Sequence, residues 1–177
     1  MTYYSSTDLA NAFRTVRKNT LQVAHDLPAD KFAFRATPDT RSVAETLAHI
    51  AGNTRWVHRA HGVDKVTSIS HEGFTAYIAD ANAYAATLTS RDAILAALDR
   101  NGREFGDWLA ALPEATLAER VSFAPPIQPS HKTRFEMLLS VKEHEMHHRA
   151  QLMLIERMVG VVPHLTRARQ ARSATVA

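Results

Sequence analysis

The apolar positions of this chain fall into four long stretches with helical spacing. The first opens near Ser6 or Thr7, where a hydroxyl caps free amides and Asp8 suits the positive end of the helix dipole. Leu9, Phe13, Val16, Leu21 and then Val23 or Ala24 follow at roughly helical intervals until Pro28 stops the run. Asp30 to Arg41 reads as an extended connection, anchored to the core by Phe32 and Phe34. Ser42 and Glu45 form a capping box for a second helix, whose stripe is Val43, Leu47, Ile50, Thr54 and Val57. His49 lies at the edge of that stripe, on a flank shared with Thr46, Asn53 and Trp56. The helix is expected to end near His61-Gly62, with Gly62 as a left-handed C-cap.

Val63 to Thr89 has mixed signals and reads as a long connection holding one packed helical segment, marked by Phe74, Tyr77, Ile78 and Tyr84. Ser90 with Asp92 opens a third long helix, carried by Ile94, Leu95, Leu98, Phe105, Trp108, Leu109 and Leu112 as far as Pro113. Gly102 and Gly106 weaken that helix or permit close packing. Pro125, Pro126 and Pro129 make Glu114 to Ser130 an irregular crossover. The fourth helix runs from Lys132 or Thr133 to about Val159, before Gly160 and Pro163. Its core positions, Leu138, Val141, His144, His148, Leu152, Ile155 and Val159, alternate by three and four like a bundle seam.

This pattern predicts an all-α fold, a four-helix bundle with long crossover connections. One domain is expected over residues 1–163, followed by a basic tail over 164–177, expected to be poorly ordered. Composition agrees: hydrophobic residues are 45%, charged residues 22%, and Gly and Pro number only 6 and 7, which is a globular balance. The net charge is +3. Arg167, Arg169 and Arg172 cluster in the tail, but no denser basic stripe or reading motif accompanies them, so nucleic acid is not an expected partner. No apolar run approaches a membrane span. Met1 to Leu9 lacks the basic and apolar regions of a secretory signal, so a soluble, cytoplasmic protein is expected.

Cysteine is absent, which excludes disulfides and thiolate metal sites and leaves His and carboxylate as the only strong metal ligands. Against that background His144 and His148 stand out. They lie four residues apart in a stretch free of Gly and Pro, so both imidazoles project from one helix face. A buried imidazole needs a hydrogen bond or a metal bond in place of its water. A pair of core histidines satisfied by hydrogen bonding is one reading; a pair chelating one ion is the other. His49 is the best candidate for a third ligand, and three facial imidazoles would leave positions for water and substrate. His58 and His61 lie near a helix end, where imidazolium complements the carbonyl dipole. His25, His71, His131 and His164 adjoin loops, and His147 is offset from the His144 and His148 face.

His144 to His148 also spells the zinc-protease signature H-E-x-x-H. A protease needs a third ligand downstream, and Arg149-Ala150-Gln151-Leu152-Met153-Leu154 lacks the Gly and His of the usual extension. Glu156, the last carboxylate in the chain, lies roughly 12 Å from His148 along one helix at 1.5 Å per residue, too far to close the site. The peptidase reading fails on both counts.

Ser42-Val43-Ala44-Glu45-Thr46-Leu47-Ala48-His49-Ile50 is similar to the S-x-x-E-x-x-x-H-I segment of the DinB family, and His144 to Gln151 is similar to its H-x-x-x-H-R-G-Q segment. Phe34 to Asp39 looks like the family's lead-in to the second helix. The chain thus resembles the DinB and YfiT-like metal-binding four-helix bundles, over about Asp8 to Pro163. Ala150 departs from the family's usual Gly, which bears on helix packing and leaves the ligands intact.

The resemblance implies metal ligation by His49, His144 and His148, with zinc or nickel as the expected divalent ion. It also implies a metal-dependent enzyme that activates a thiol or a water, as a thiol S-transferase or a hydrolase acting on a small-molecule substrate. A low-molecular-weight thiol would then be a second cofactor. Glu145 and Arg149 flank the ligands and are the catalytic candidates, although an ordinary surface helix would carry such a pair as well. The alternative is a non-enzymatic, metal-stabilised bundle that binds a small molecule or a protein partner, with a homodimer formed through an apolar helix face as one form of it.

Overall fold

The computed structural model describes residues 4–176, which are mostly helical. Helices α1 (Ser6–Asp26), α2 (Val43–His58), α4 (Arg91–Ala110) and α6 (Arg134–Met158) are the four long elements, and they pack against one another as a bundle. The long connection before α4 carries α3 (His71–Ala86), which lies along α2. A short α5 (Glu114–Ala118) follows α4, and α7 (His164–Val176) follows α6. None of the described helices is long and apolar enough to cross a membrane.

Capping fixes where the long helices begin. Ser5 caps α1 in a capping box with Asp8, one residue earlier than the sequence suggests. Ser42 with Glu45 caps α2, Ser90 caps α4, and Thr133 with Glu136 caps α6. Each box satisfies amides at a helix start that have no partner within the helix. The expected α2 stripe of Val43, Leu47, Ile50, Thr54 and Val57 is buried throughout.

Several expectations need correction. The crossover is not wholly irregular: β2 (Arg120–Phe123) pairs antiparallel with β3 (His131–Thr133) and parallel with β1 (Ser68–Ile69). These strands are two to four residues long, too short to display an alternating pattern. The second helix does not end on a left-handed Gly62. It continues through a π-helical turn, Arg59–Val63, and the positive φ falls at Lys65. The basic segment after Pro163 is helical over α7, where Arg167 pairs with Asp26 and His164 contacts Asn19 on α1.

The core has two apolar clusters. One holds Val23, Leu27, Leu47, Ile50, Leu98 and Leu152; the other holds Leu9, Phe13, Phe105, Leu109, Leu138 and Val141. On α1, α4 and α6 a polar level separates them, occupied by Arg17, Asn101 and Glu145, all buried. Arg17 donates from Nε and Nη2 to the Glu145 carboxylate at 2.8 and 2.9 Å, and from Nη1 to the Leu98 carbonyl at 2.6 Å. Gly102 makes room for it: a Cβ there would lie 2.7 Å from Arg17 Cγ and 2.8 Å from Nη1.

Candidate metal centre

His49 is carried by the middle of α2, and His144 and His148 by one face of α6. The two helices pack side by side, which brings one ring nitrogen of each residue to a common point. His49 Nε2 lies 3.0 Å from His144 Nε2, and His148 Nε2 lies 3.1 Å from the same atom. All three candidate ligand atoms fall within 4.8 Å of one another. Two imidazoles binding one tetrahedral zinc at about 2.05 Å have nitrogens about 3.3 Å apart, close to the two shorter separations.

Proton positions sharpen the fit. His148 Nδ1 lies 2.8 Å from Gln151 Oε1, and Gln151 Nε2 lies 3.2 Å from His147 Nε2. An amide oxygen only accepts, so His148 carries its proton on Nδ1 and presents a bare lone pair at Nε2. His144 Nε2 therefore faces an acceptor on one side and His49 on the other. A single proton on His144 Nε2 serves the two contacts only as a shared, bifurcated bond, and His144 Nδ1 is buried with no partner. Moving the proton to Nδ1 frees the His144 lone pair and leaves the nitrogens converging as donors to a Lewis acid. A divalent ion meets that need, and the donor set fits one.

Electrostatics favour the same state. Burial first, then the Arg41 charge and the neighbouring imidazoles, push His49 down to about 4. Burial first, then His148 and His147, push His144 down to about 4, and burial pulls His148 down as well. At neutral pH all three rings are uncharged and their lone pairs are available, as metal ligation requires.

The seam of α6 differs from the expected one. Glu145, not His144, is buried at 1% exposure, and His144 is half-buried at the edge. Glu145, one of the two catalytic candidates, turns toward α1, where Arg17 holds both of its oxygens. Arg149 is half-buried, with Nε and Nη1 lacking partners, and burial lowers its basicity. Two residues at the site were not singled out from sequence. Gln151 sets the His148 tautomer, and its position three residues beyond a ligand is the available signal. Arg41, just ahead of the α2 cap, contributes positive charge to all three rings from a loop that helical periodicity does not reach.

Comparison with known proteins bears on the family and the fold. No curated protein matches the sequence significantly. A solved structure described as a sibling lethal factor precursor, DfsB, superposes with a TM-score of 0.65 at 15% identity, covering 91% of this chain and all of that one. That likeness bears on the fold alone. The model of the DinB superfamily matches residues 12–152, a span that takes in most of the bundle and all three histidines. The chain belongs to the DinB superfamily.

Proposed function

We propose that the chain binds a divalent metal ion through His49, His144 and His148, and that it is a metal-dependent enzyme activating a thiol or a water toward a small substrate. The observation that carries this reading is the convergence of three neutral imidazole nitrogens within 4.8 Å, with no carboxylate among them. An ion held by three neutral ligands keeps its full charge, and when bound it acidifies a coordinated water or thiol. Zinc and nickel suit a nitrogen-only donor set.

The chain's own residues supply the rest. Gln151 fixes the His148 tautomer, an outer-shell role of the kind that makes a ligand ring more basic and holds its orientation. Arg41 adds a fixed positive charge near the three rings, which favours anionic forms of whatever occupies the open positions. Glu145 is engaged by Arg17 and is not a general base in this reading. A proton released at the site leaves through water or through the substrate itself.

Elemental analysis of purified protein, followed by titration of metal-free protein with zinc and nickel, tests the binding. One equivalent of ion is expected, and His49→Ala should weaken affinity by at least tenfold, since loss of even an outer-shell partner of a ligand costs about 10- to 100-fold. Retained affinity in His49→Ala would sink the triad. Turnover is tested by following loss of a small electrophile in the presence of a low-molecular-weight thiol. Full metal loading with no turnover of any thiol or hydrolysable substrate would favour the non-enzymatic bundle.

A further inference from the structure

A recess of about 440 Å³ opens between α2, α3 and α4, and none of the triad histidines lines it. Its size is within the range of small-molecule sites, about 300 to 1,000 Å³. It adjoins the π-helical turn Arg59–Val63, and such turns occur often at functional sites.

Its polar groups are unevenly paired. Arg59 is neutralised by Asp80 and Asp64. Arg55 has no ion-pair partner among the described residues; its guanidinium lies 4.2 Å from the Tyr84 ring centroid. The Tyr84 hydroxyl accepts from Asn101 Nδ2 at 3.1 Å, and the same amide nitrogen donates to the Ala51 carbonyl at 3.0 Å. Those two bonds fix the amide orientation and leave Asn101 Oδ1, buried at 3% exposure, without a donor. One turn further along α4, Glu104 also lines the recess and has no ion-pair partner among the described residues. Tyr77, Tyr84 and Phe105 supply apolar wall.

One unpaired cation and one unpaired carboxylate thus share a single aromatic-walled recess, with the orphaned Asn101 acceptor buried in its wall. Arg55 and Asn101 both contact Tyr84. We propose that this recess binds a small zwitterion of the α-amino-acid class with an aromatic side chain, its carboxylate on Arg55 and its ammonium toward Glu104. A zwitterion answers both charges together. A simple anion would leave Glu104 unmet, and a simple cation would leave Arg55 unmet. The site does not depend on the metal reading, because it shares no ligand with the triad.

The test is calorimetric titration of the full chain with L-phenylalanine, with 3-phenylpropionate, which lacks the ammonium, and with 2-phenylethylamine, which lacks the carboxylate. Saturable binding of L-phenylalanine, tighter than either half-ligand, is expected. Arg55→Gln should weaken L-phenylalanine about tenfold or more and leave 2-phenylethylamine unchanged, while Glu104→Gln should weaken both. Arg55 and Glu104 are exposed, so both variants retain the fold. Three results would each overturn the proposal: no saturable binding of any probe at millimolar concentration, half-ligands binding as tightly as the zwitterion, or variants binding as the parent does. Loss of L-phenylalanine binding in His49→Ala would also overturn it, by placing the ligand at the triad instead.

Discussion

Glu156 is fully buried on α6, and neither of its carboxylate oxygens has a hydrogen-bond partner. Burial first, then the nearby Asp26 charge, pushes it up to about 7, with Arg167 and Arg157 opposing. A carboxyl whose folded pKa lies above its ordinary value favours the native state in its protonated form. That contribution is complete below about pH 4.5 and is lost as pH rises through about 7. Replacement by Gln keeps the shape and removes the charge. Thermal melts from about pH 5 to about pH 8 should therefore show the parent protein falling relative to Glu156→Gln by several degrees, at roughly 2–4 °C per kcal/mol for a chain of this size. Parallel melting curves would show that Glu156 stays neutral or finds a partner.

At the scale of elements, the Arg17–Glu145 pair decides how α1 and α6 meet. Both side chains are almost wholly buried, at 4% and 2% exposure, and the guanidinium also ties down the α4 carbonyl of Leu98. Removing one member strands the other charge in the core. Arg17→Met should therefore cost about 3–5 kcal/mol, read by denaturant unfolding. Arg17→Met combined with Glu145→Leu should recover most of that loss, since a well-packed apolar pair often replaces a buried ion pair without penalty. A double variant no more stable than the single one would mean that the pair is needed to align the helices. This pair also marks where sequence reading stopped. The capping box at Ser42 was legible because its partner, Glu45, lies three residues away. The α2 stripe and the His49 flank were legible because one helix carries each of them. Periodicity could not choose between His144 and Glu145 for the α6 seam, because both lie three or four residues from Val141 or His148. Deciding that needed Arg17, which is 128 positions distant and is a residue type seldom assigned to a core. The β1–β2–β3 sheet was hidden by strands too short to show an alternating pattern, and by the long-range pairing of β1 with β2.

Across the whole molecule, the polar level between the two apolar clusters is where the bundle is least able to hold itself together by burial alone. There α1, α4 and α6 meet through Arg17, Glu145 and the Leu98 carbonyl, Asn101 ties α4 to α2 and α3, and α2 meets α6 through three converging imidazoles. Without an ion those imidazoles share protons imperfectly, and His144 Nδ1 has no partner. An ion that binds only the folded state would convert this weak seam into a cross-link between α2 and α6, and its binding free energy would add to stability. At a free-ion concentration 100 times the Kd the gain is about 2.7 kcal/mol. For a chain of this length that corresponds to a rise in Tm of about 5 to 10 °C. Zinc or nickel added to metal-free protein should produce that rise, and a chelator should reverse it. His49→Ala should abolish most of the increment while leaving the metal-free Tm close to the parent value, because the ring is only half-buried and makes no contact the apolar clusters require. A Tm indifferent to metal in the parent protein, with the ion shown to be bound, would mean that the α2–α6 seam is already rigid and that the histidines serve chemistry alone.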